Sequence, residues 1–212
     1  MNVTRYPQSC LKLEHESRTL LVDLGTMVTA KYKLADFGDL DAVLFTHSHA
    51  DQFDVKVLPE LAANGVTIYG NSDVAQSAED IKVEVIDPGE ELVVAGFKLK
   101  AYAMEHCPMT DGSKSAVPNT GFVVNDHLLL PGDSTEDVGI KVEVVALPIF
   151  GPDISPRDAF DLMRSTSASK VIPVHYDVSG MNPHIFERFT ALGGQKTATE
   201  VVVLENGESI QI

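Results

Sequence analysis

Residues Phe45–Asp54 read FTHSHADQFD. His47, His49, Asp51 and Asp54 crowd together just past the apolar run AVLF, and Gln52 stands where a further imidazole could have been. Imidazole and carboxylate groups packed this densely suit a borderline divalent cation. The decisive question is whether other parts of the chain deliver ligand-type side chains to the same place.

Working outward, DAVLFTH from Asp41 reads as a buried strand. Before it, SCLKLEHESRTLLVD reads as a hairpin turning near His15 to Ser17. After it, Asp54 is placed to cap a short helix through VKVLPELAANG, ended by Gly65, and VTIYG returns as a strand. KVEVIDPGEELVVAGFKLKAYAME is expected to form two antiparallel strands turning at Asp87, Pro88 and Gly89 and running to His106. A polar loop from Pro108 to Asn119 leads to a hairpin turning at Asn125 and Asp126, and VEVVALPIF is another buried strand. Ser155, Pro156 and Asp158 open a helix whose residues Ala159, Phe160, Leu162 and Met163 have helical spacing. KVIPVH is a strand, Asn182 and Pro183 open a last helix stopping at Gly193, and TEVVVLENGESIQI is expected to be a final hairpin turning at Asn206 and Gly207. Many strands with helices late in each half imply two packed sheets with helices outside.

Three of the seven histidines, His47, His106 and His175, directly follow an apolar strand, His49 is two residues beyond the first, and Asp133 follows LLLPG in the same way. One histidine after a strand is more often a packing or surface residue. Their joint placement with the HxHxD cluster reverses that reading, because strand ends on a common edge bring distant side chains together. Four imidazoles and two carboxylates offer enough ligands for two ions. His15, His127 and His184 fall in turns or at a helix start and read as solvated.

Bulk properties narrow the partners. At 212 residues the chain suits one domain, residues 1–212, with a sizeable core and no linker or repeat. The net charge of −15 disfavours nucleic acid and anionic membrane surfaces, which select clustered Lys and Arg. No apolar run approaches the ~20 residues of a membrane helix, and the N-terminus lacks the pattern of a secretory signal, so a cytoplasmic location is expected. Cys10 and Cys107 lack a CxxC spacing and read as small packing residues.

The ordered segments THSHAD, His106, GD at Asp133 and VHYD at His175 resemble the metallo-β-lactamase superfamily of metal-dependent hydrolases. With LLVDLG, LPIFG and IPVHY the likeness covers nearly the whole chain and is similar to the compact zinc-dependent branch that includes ascorbate-6-phosphate lactonase. The resemblance implies an α+β four-layer αββα sandwich of two mostly antiparallel mixed sheets, with the metal site at one edge. It implies a first metal held by His47, His49 and His106 and a second by Asp51, a following histidine and His175, with Asp133 bridging. Gln52 takes the place of that following histidine.

The resemblance also implies a metal-dependent hydrolase using metal-bound hydroxide on a small, anionic ester, lactone or phosphorylated substrate, with Asp51 as the catalytic residue that orients water or passes its proton on. Zinc is the expected cofactor, as one or two ions, with manganese or magnesium at a second site weakened by the neutral amide of Gln52. Gln52 could also hydrogen-bond Asp51 or His175 without touching an ion. A degenerate metal-binding protein without turnover is the alternative. Di-iron redox chemistry is disfavoured, because its members carry a glutamate where this chain has His49. Lys114 is a candidate for meeting an anion, although lysines in polar loops are usually solvated. A homo-oligomer, with a neighbour's loop over the site, stays open.

Overall fold

Alternating apolar residues set the first three strands. The computed structural model describes residues 1–151, 154–192 and 199–212; the expected helix stop at Gly193 lies outside them. β1 (Asn2–Arg5), β2 (Leu11–His15) and β3 (Arg18–Val22) pair antiparallel in succession. The β2–β3 turn is made by Glu16 and Ser17, both left-handed, as a tight hairpin requires. A short helix α1 (Thr26–Thr29) leads to β4 (Ala42–Phe45), which pairs parallel to β3. Asp54 caps a 3-10 turn, Val55–Val57, by accepting the Lys56 N–H, and α2 (Leu58–Ala63) continues it. β5 (Thr67–Gly70), α3 (Ser72–Ser77) and β6 (Glu84–Val85) follow in the same half of the sandwich.

The second sheet begins with β7 (Glu91–Val94) and β8 (Phe97–Ala103), then β9 (Thr120–Val124), β10 (Leu128–Leu130) and β11 (Val144–Pro148). α4 (Pro156–Thr166) comes next, its cap Ser155 accepting the Asp158 N–H, and then β12 (Lys170–Val174), α5 (His184–Leu192), β13 (Glu200–Val201) and β14 (Ser209–Gln211).

Among the described residues the first sheet has the order β14-β1-β2-β3-β4-β5-β6 and the second β13-β12-β11-β10-β9-β8-β7. In each, the ladders on one side are antiparallel and those on the other parallel, so the expectation of mostly antiparallel sheets is corrected to an even mixture.

Pleating explains the layers. Along β4, Ala42 and Leu44 enter the core between the sheets while Val43 and Phe45 pack under α1 and α2. Along β11, Val144 and Ala146 face the same inter-sheet core, and Val145 and Leu147 meet Ala159, Leu162 and Met163 of α4. Strands covered on both faces must be apolar throughout, and the chain shows that at AVLF and VVALP. The layers are therefore helix, sheet, sheet, helix. Among the described residues no helix is long and apolar enough to cross a membrane.

Two expected hairpins are corrected. Asp87–Gly89 does not join antiparallel partners, since β6 lies parallel to β5 in the first sheet and β7 belongs to the second. The true hairpin is β7–β8, turned at Ala95 and Gly96, whose left-handed φ values of 48° and 82° suit that turn. Strand β8 ends at Ala103, so His106 sits on the loop beyond it. The C-terminal pair is also split: β13 joins β12 in the second sheet and β14 joins β1 in the first, so the Asn206–Gly207 turn carries the chain across the sandwich.

Candidate metal centre

The loop after β4 is held in a tight turn, with the Gln52 and Phe53 N–H groups both donating to the His49 carbonyl. It lies flat on the chain after β3: Thr26 N–H donates to Ala50 O at 2.8 Å and Asp54 N–H to Leu24 O at 3.1 Å. Only glycine fits at position 25, where a Cβ would stand 1.8 Å from the Asp51 carbonyl oxygen. This packing gathers His47, His49 and Asp51 at the open edge.

The other ligand-type residues arrive from the second sheet. Asp133 follows β10 through Gly132, whose φ of +61° brings it so close to Asn119 that a Cβ would lie 2.1 Å from Asn119 Oδ1. Asn119 accepts the Asp133 N–H at 3.1 Å and donates to Met104 O and Pro131 O, tying the ends of β8 and β10 together. His106 comes from the loop after β8, and Cys107 N–H donates to Asp133 O at 2.8 Å. His175 stands directly after β12 with a left-handed φ of 59°.

All six sequence-derived ligands meet there, in two overlapping groups. His47, His49, His106 and Asp133 form one and Asp51, Asp133 and His175 the other, with the ligand atoms of each group within 4.8 Å of one another. In the first, the three imidazole rings stand edge to face, with centroids 4.7 to 5.1 Å apart. Asp133 Oδ2 lies 3.7 Å from His47 Nε2, 3.6 Å from His106 Nε2 and 3.0 Å from His175 Nε2, while Asp51 Oδ2 is 3.3 Å from the last. Asp133 is thus the shared carboxylate.

The ring orientations are set from behind. His106 Nδ1–H donates to Cys107 O at 2.6 Å and His175 Nδ1–H to Phe150 O at 2.5 Å, which turns each Nε2 inward. His47 Nδ1 contacts Thr46 Oγ1 at 3.0 Å, and Thr46 donates its N–H and hydroxyl to Asp23. A cation fits this set: the Nε2 atom of His47 is buried without a hydrogen-bond partner, which is costly unless a ligand takes the lone pair.

Electrostatics divides the groups. Burial brings the His47 pKa down to about 4, and burial with the neighbouring His106 lowers His49, so both rings hold their lone pairs at neutral pH. Burial acts the same way on His175, but the Asp133 carboxylate outweighs it and holds that imidazole well above its ordinary value. Asp133 and Asp51 sit below the usual carboxylate range, burial being overcome chiefly by His175 in both and by His47 for Asp133. Two facing carboxylates demand a positive charge between them, whether proton or metal.

Gln52 is fully buried, and its hydrogen bond goes to neither Asp51 nor His175. Its amide N–H donates to Asp133 Oδ1 at 2.6 Å, and its own Oε1 has no partner. Lys114 is 83% exposed and pairs with Glu105, and it lines two open cavities together with His106. His15 and His184 are exposed at the side chain by 38% and 54% and His127 by 30%, as their solvated reading expects. Cys10 and Cys107 are buried free thiols.

Sequence reasoning misses the residues behind the ligands: Gln8, Asp23, Thr46 and Asn119. Gln8, Asp23 and His175 share left-handed backbone, a strain that collects where geometry is over-determined. Composition gives no such signal; hydroxyls and amides become visible only once the fold places them.

Known proteins share this architecture. The chain is 27% identical over 182 residues to the Mycobacterium tuberculosis protein Rv0786c, covering 82% of this chain and 84% of that one. It is 25% identical over 189 residues to the UPF0173 metal-dependent hydrolase TK0141 of Thermococcus kodakarensis, covering 82% and 83%. In fold it is similar to Igni18, a metallo hydrolase of the archaeon Ignicoccus hospitalis, with a TM-score of 0.78 at 18% identity over 99% of this chain and 97% of that one. The family model described as the beta-lactamase superfamily domain matches residues 2–175, from the first strand to the last ligand-type histidine, and the chain belongs to that family.

Proposed function

We propose that this protein, as one domain of residues 1–212, is a metal-dependent hydrolase of small esters, lactones or phosphorylated metabolites in the cytoplasm. The observation that carries this is the convergence of His47, His49 and His106 on one point, with Nε2 of His47 buried and unpartnered. Zinc suits that imidazole-rich group, and the carboxylate-rich group of Asp51, Asp133 and His175 suits a harder ion such as manganese or magnesium. A bound ion supplies Lewis acidity and lowers the pKa of a water to about 7.

The chain's own residues do the rest. Asp51 is the group we assign to orient water and accept its proton, and Gln8 Nε2 holds its carboxylate at 2.9 Å. Asp133 holds both groups in register, and Gln52 fixes its free oxygen. Cys107, Pro108, Met109 and Ile154 wall a cavity of about 90 Å³ over His49 and His106, which limits water and admits only a small reacting group. No lysine or arginine lines that cavity among the described residues. A negative substrate charge would therefore be matched by the cation and not by the wall.

Zinc- and manganese-loaded protein should hydrolyse p-nitrophenyl acetate, a small lactone or bis(p-nitrophenyl) phosphate, and His49→Ala should abolish it. Equal rates in both proteins would leave the second reading, metal binding without turnover, which Gln52 in place of a second-site histidine favours.

A further inference from the structure

Gln8 lies on the β1–β2 loop, far in sequence from every ligand-type residue, yet it is fully buried with a left-handed φ of 60°. All four of its polar groups are engaged. Its backbone N–H donates to Asp177 Oδ2 at 2.8 Å, and its carbonyl accepts the His175 N–H at 3.0 Å. Its side-chain N–H donates to Asp51 Oδ2 at 2.9 Å, and its Oε1 accepts the Val178 N–H at 3.1 Å. Asp177 is in turn paired with Arg5, 1% exposed, whose guanidinium lies 4.2 Å from the centre of the Tyr176 ring and also donates to Asn206. One residue therefore grips the Asp51 carboxylate with its side chain and the His175 backbone with its main chain, and is itself pinned by a buried ion pair.

We propose that Gln8 is a positioning residue for the second ligand group: it sets the 3.3 Å approach of Asp51 to His175 and so sets that group's affinity for a divalent ion. This rests on the reading of the two groups as cation sites given above. The amide is suited to the task because it donates to the carboxylate and accepts from Val178 at once, which fixes the rotation of both. None of its hydrogen bonds reaches His47, His49 or His106, so the first group stays outside its influence. An unpolar side chain at position 8 would free Asp51 to rotate away, and a carboxylate there would repel it.

The test is calorimetric titration of metal-free full chain with zinc and then manganese, alongside its thermal melting, with no assay of turnover. In Gln8→Leu the second equivalent should bind at least tenfold more weakly, with the first unchanged, as is typical when a ligand loses the partner that orients it. Gln8→Glu keeps the backbone contacts and the acceptor for Val178 N–H, and should show the same selective loss; it carries the measurement if the leucine variant does not fold. A purely structural role would lower the melting temperature and weaken both equivalents alike, or neither, and either result overturns the proposal. So does a wild-type chain that takes one equivalent only, at millimolar manganese. Wild-type protein that binds no ion, or binds identically after His49→Ala, overturns the cation-site reading itself; two equivalents retained in both Gln8 variants overturn Gln8's role alone.

Discussion

The two ligand groups share Asp133 and little else. The first is built from three imidazoles, of which burial lowers the pKa of His47 and His49, and behind it stands the Asp23–Thr46 pair touching His47. The second is built from two carboxylates around an imidazole whose pKa Asp133 raises, and behind it stand two amides, Gln8 and Gln52, each donating to one carboxylate. The difference teaches how one edge can present two chemically distinct ligand-type groups. Neutral nitrogen donors select a borderline ion and need no compensating charge. Carboxylates oriented by amide N–H groups offer oxygen to a harder ion.

Removing an imidazole should break the comparison most severely. His49→Ala is expected to lower hydrolysis by more than the ~100-fold at the upper end for loss of a supporting partner, and to strip tightly held zinc, measured by initial rates and metal analysis. Gln52→His should narrow the difference from the other side: exchanging an amide N–H donor for an imidazole lone pair is expected to tighten the second equivalent about tenfold by titration. Unaltered affinity would show that Asp51, Asp133 and His175 alone set it. Thr46→Val keeps the shape of a fully buried residue but removes the hydroxyl between Asp23 and His47. First-site affinity should fall about tenfold while the second is spared.

The smallest effect is a slope. Burial raises the Asp23 pKa from 3.8 to about 8, against the hydrogen bonds from Thr46. In the metal-free chain the unfolded form ionises first as pH rises, so the stability this residue contributes is full below about pH 4 and is lost progressively towards pH 8. Asp23→Asn should flatten that part of the melting temperature against pH. A variant with the parent's slope would show that other groups produce it.

Much of the site is legible in the sequence, and for physical reasons. Ligand-type side chains carry their chemistry in their identity, so His47, His49, His106, Asp133 and His175 could be named from their positions just beyond apolar runs. Strand pairing could not be read as well. The run from Lys82 to Glu105 alternates on both sides of Asp87–Gly89, and alternation says which face a residue takes but not which sheet receives the strand. Thus Asp87–Gly89 looked like a hairpin turn when the chain was crossing between sheets, while the real turn hid at Ala95, a residue with little turn preference. Gln8 was invisible for a third reason: an amide in a loop says nothing until its neighbours in space are known.

His47, His49 and Asp51 leave the sheet containing β4, whereas His106, Asp133 and His175 leave the one containing β8, β10 and β12. A cation gripped by both sets is a rivet through the open side of the sandwich. Because only the folded chain presents that grip, a ligand at 100 times its dissociation constant adds about 2.7 kcal/mol of stability. Scarcity of the ion would then be felt as fragility, and the rate at which proteases clear this chain would follow the metal supply around it.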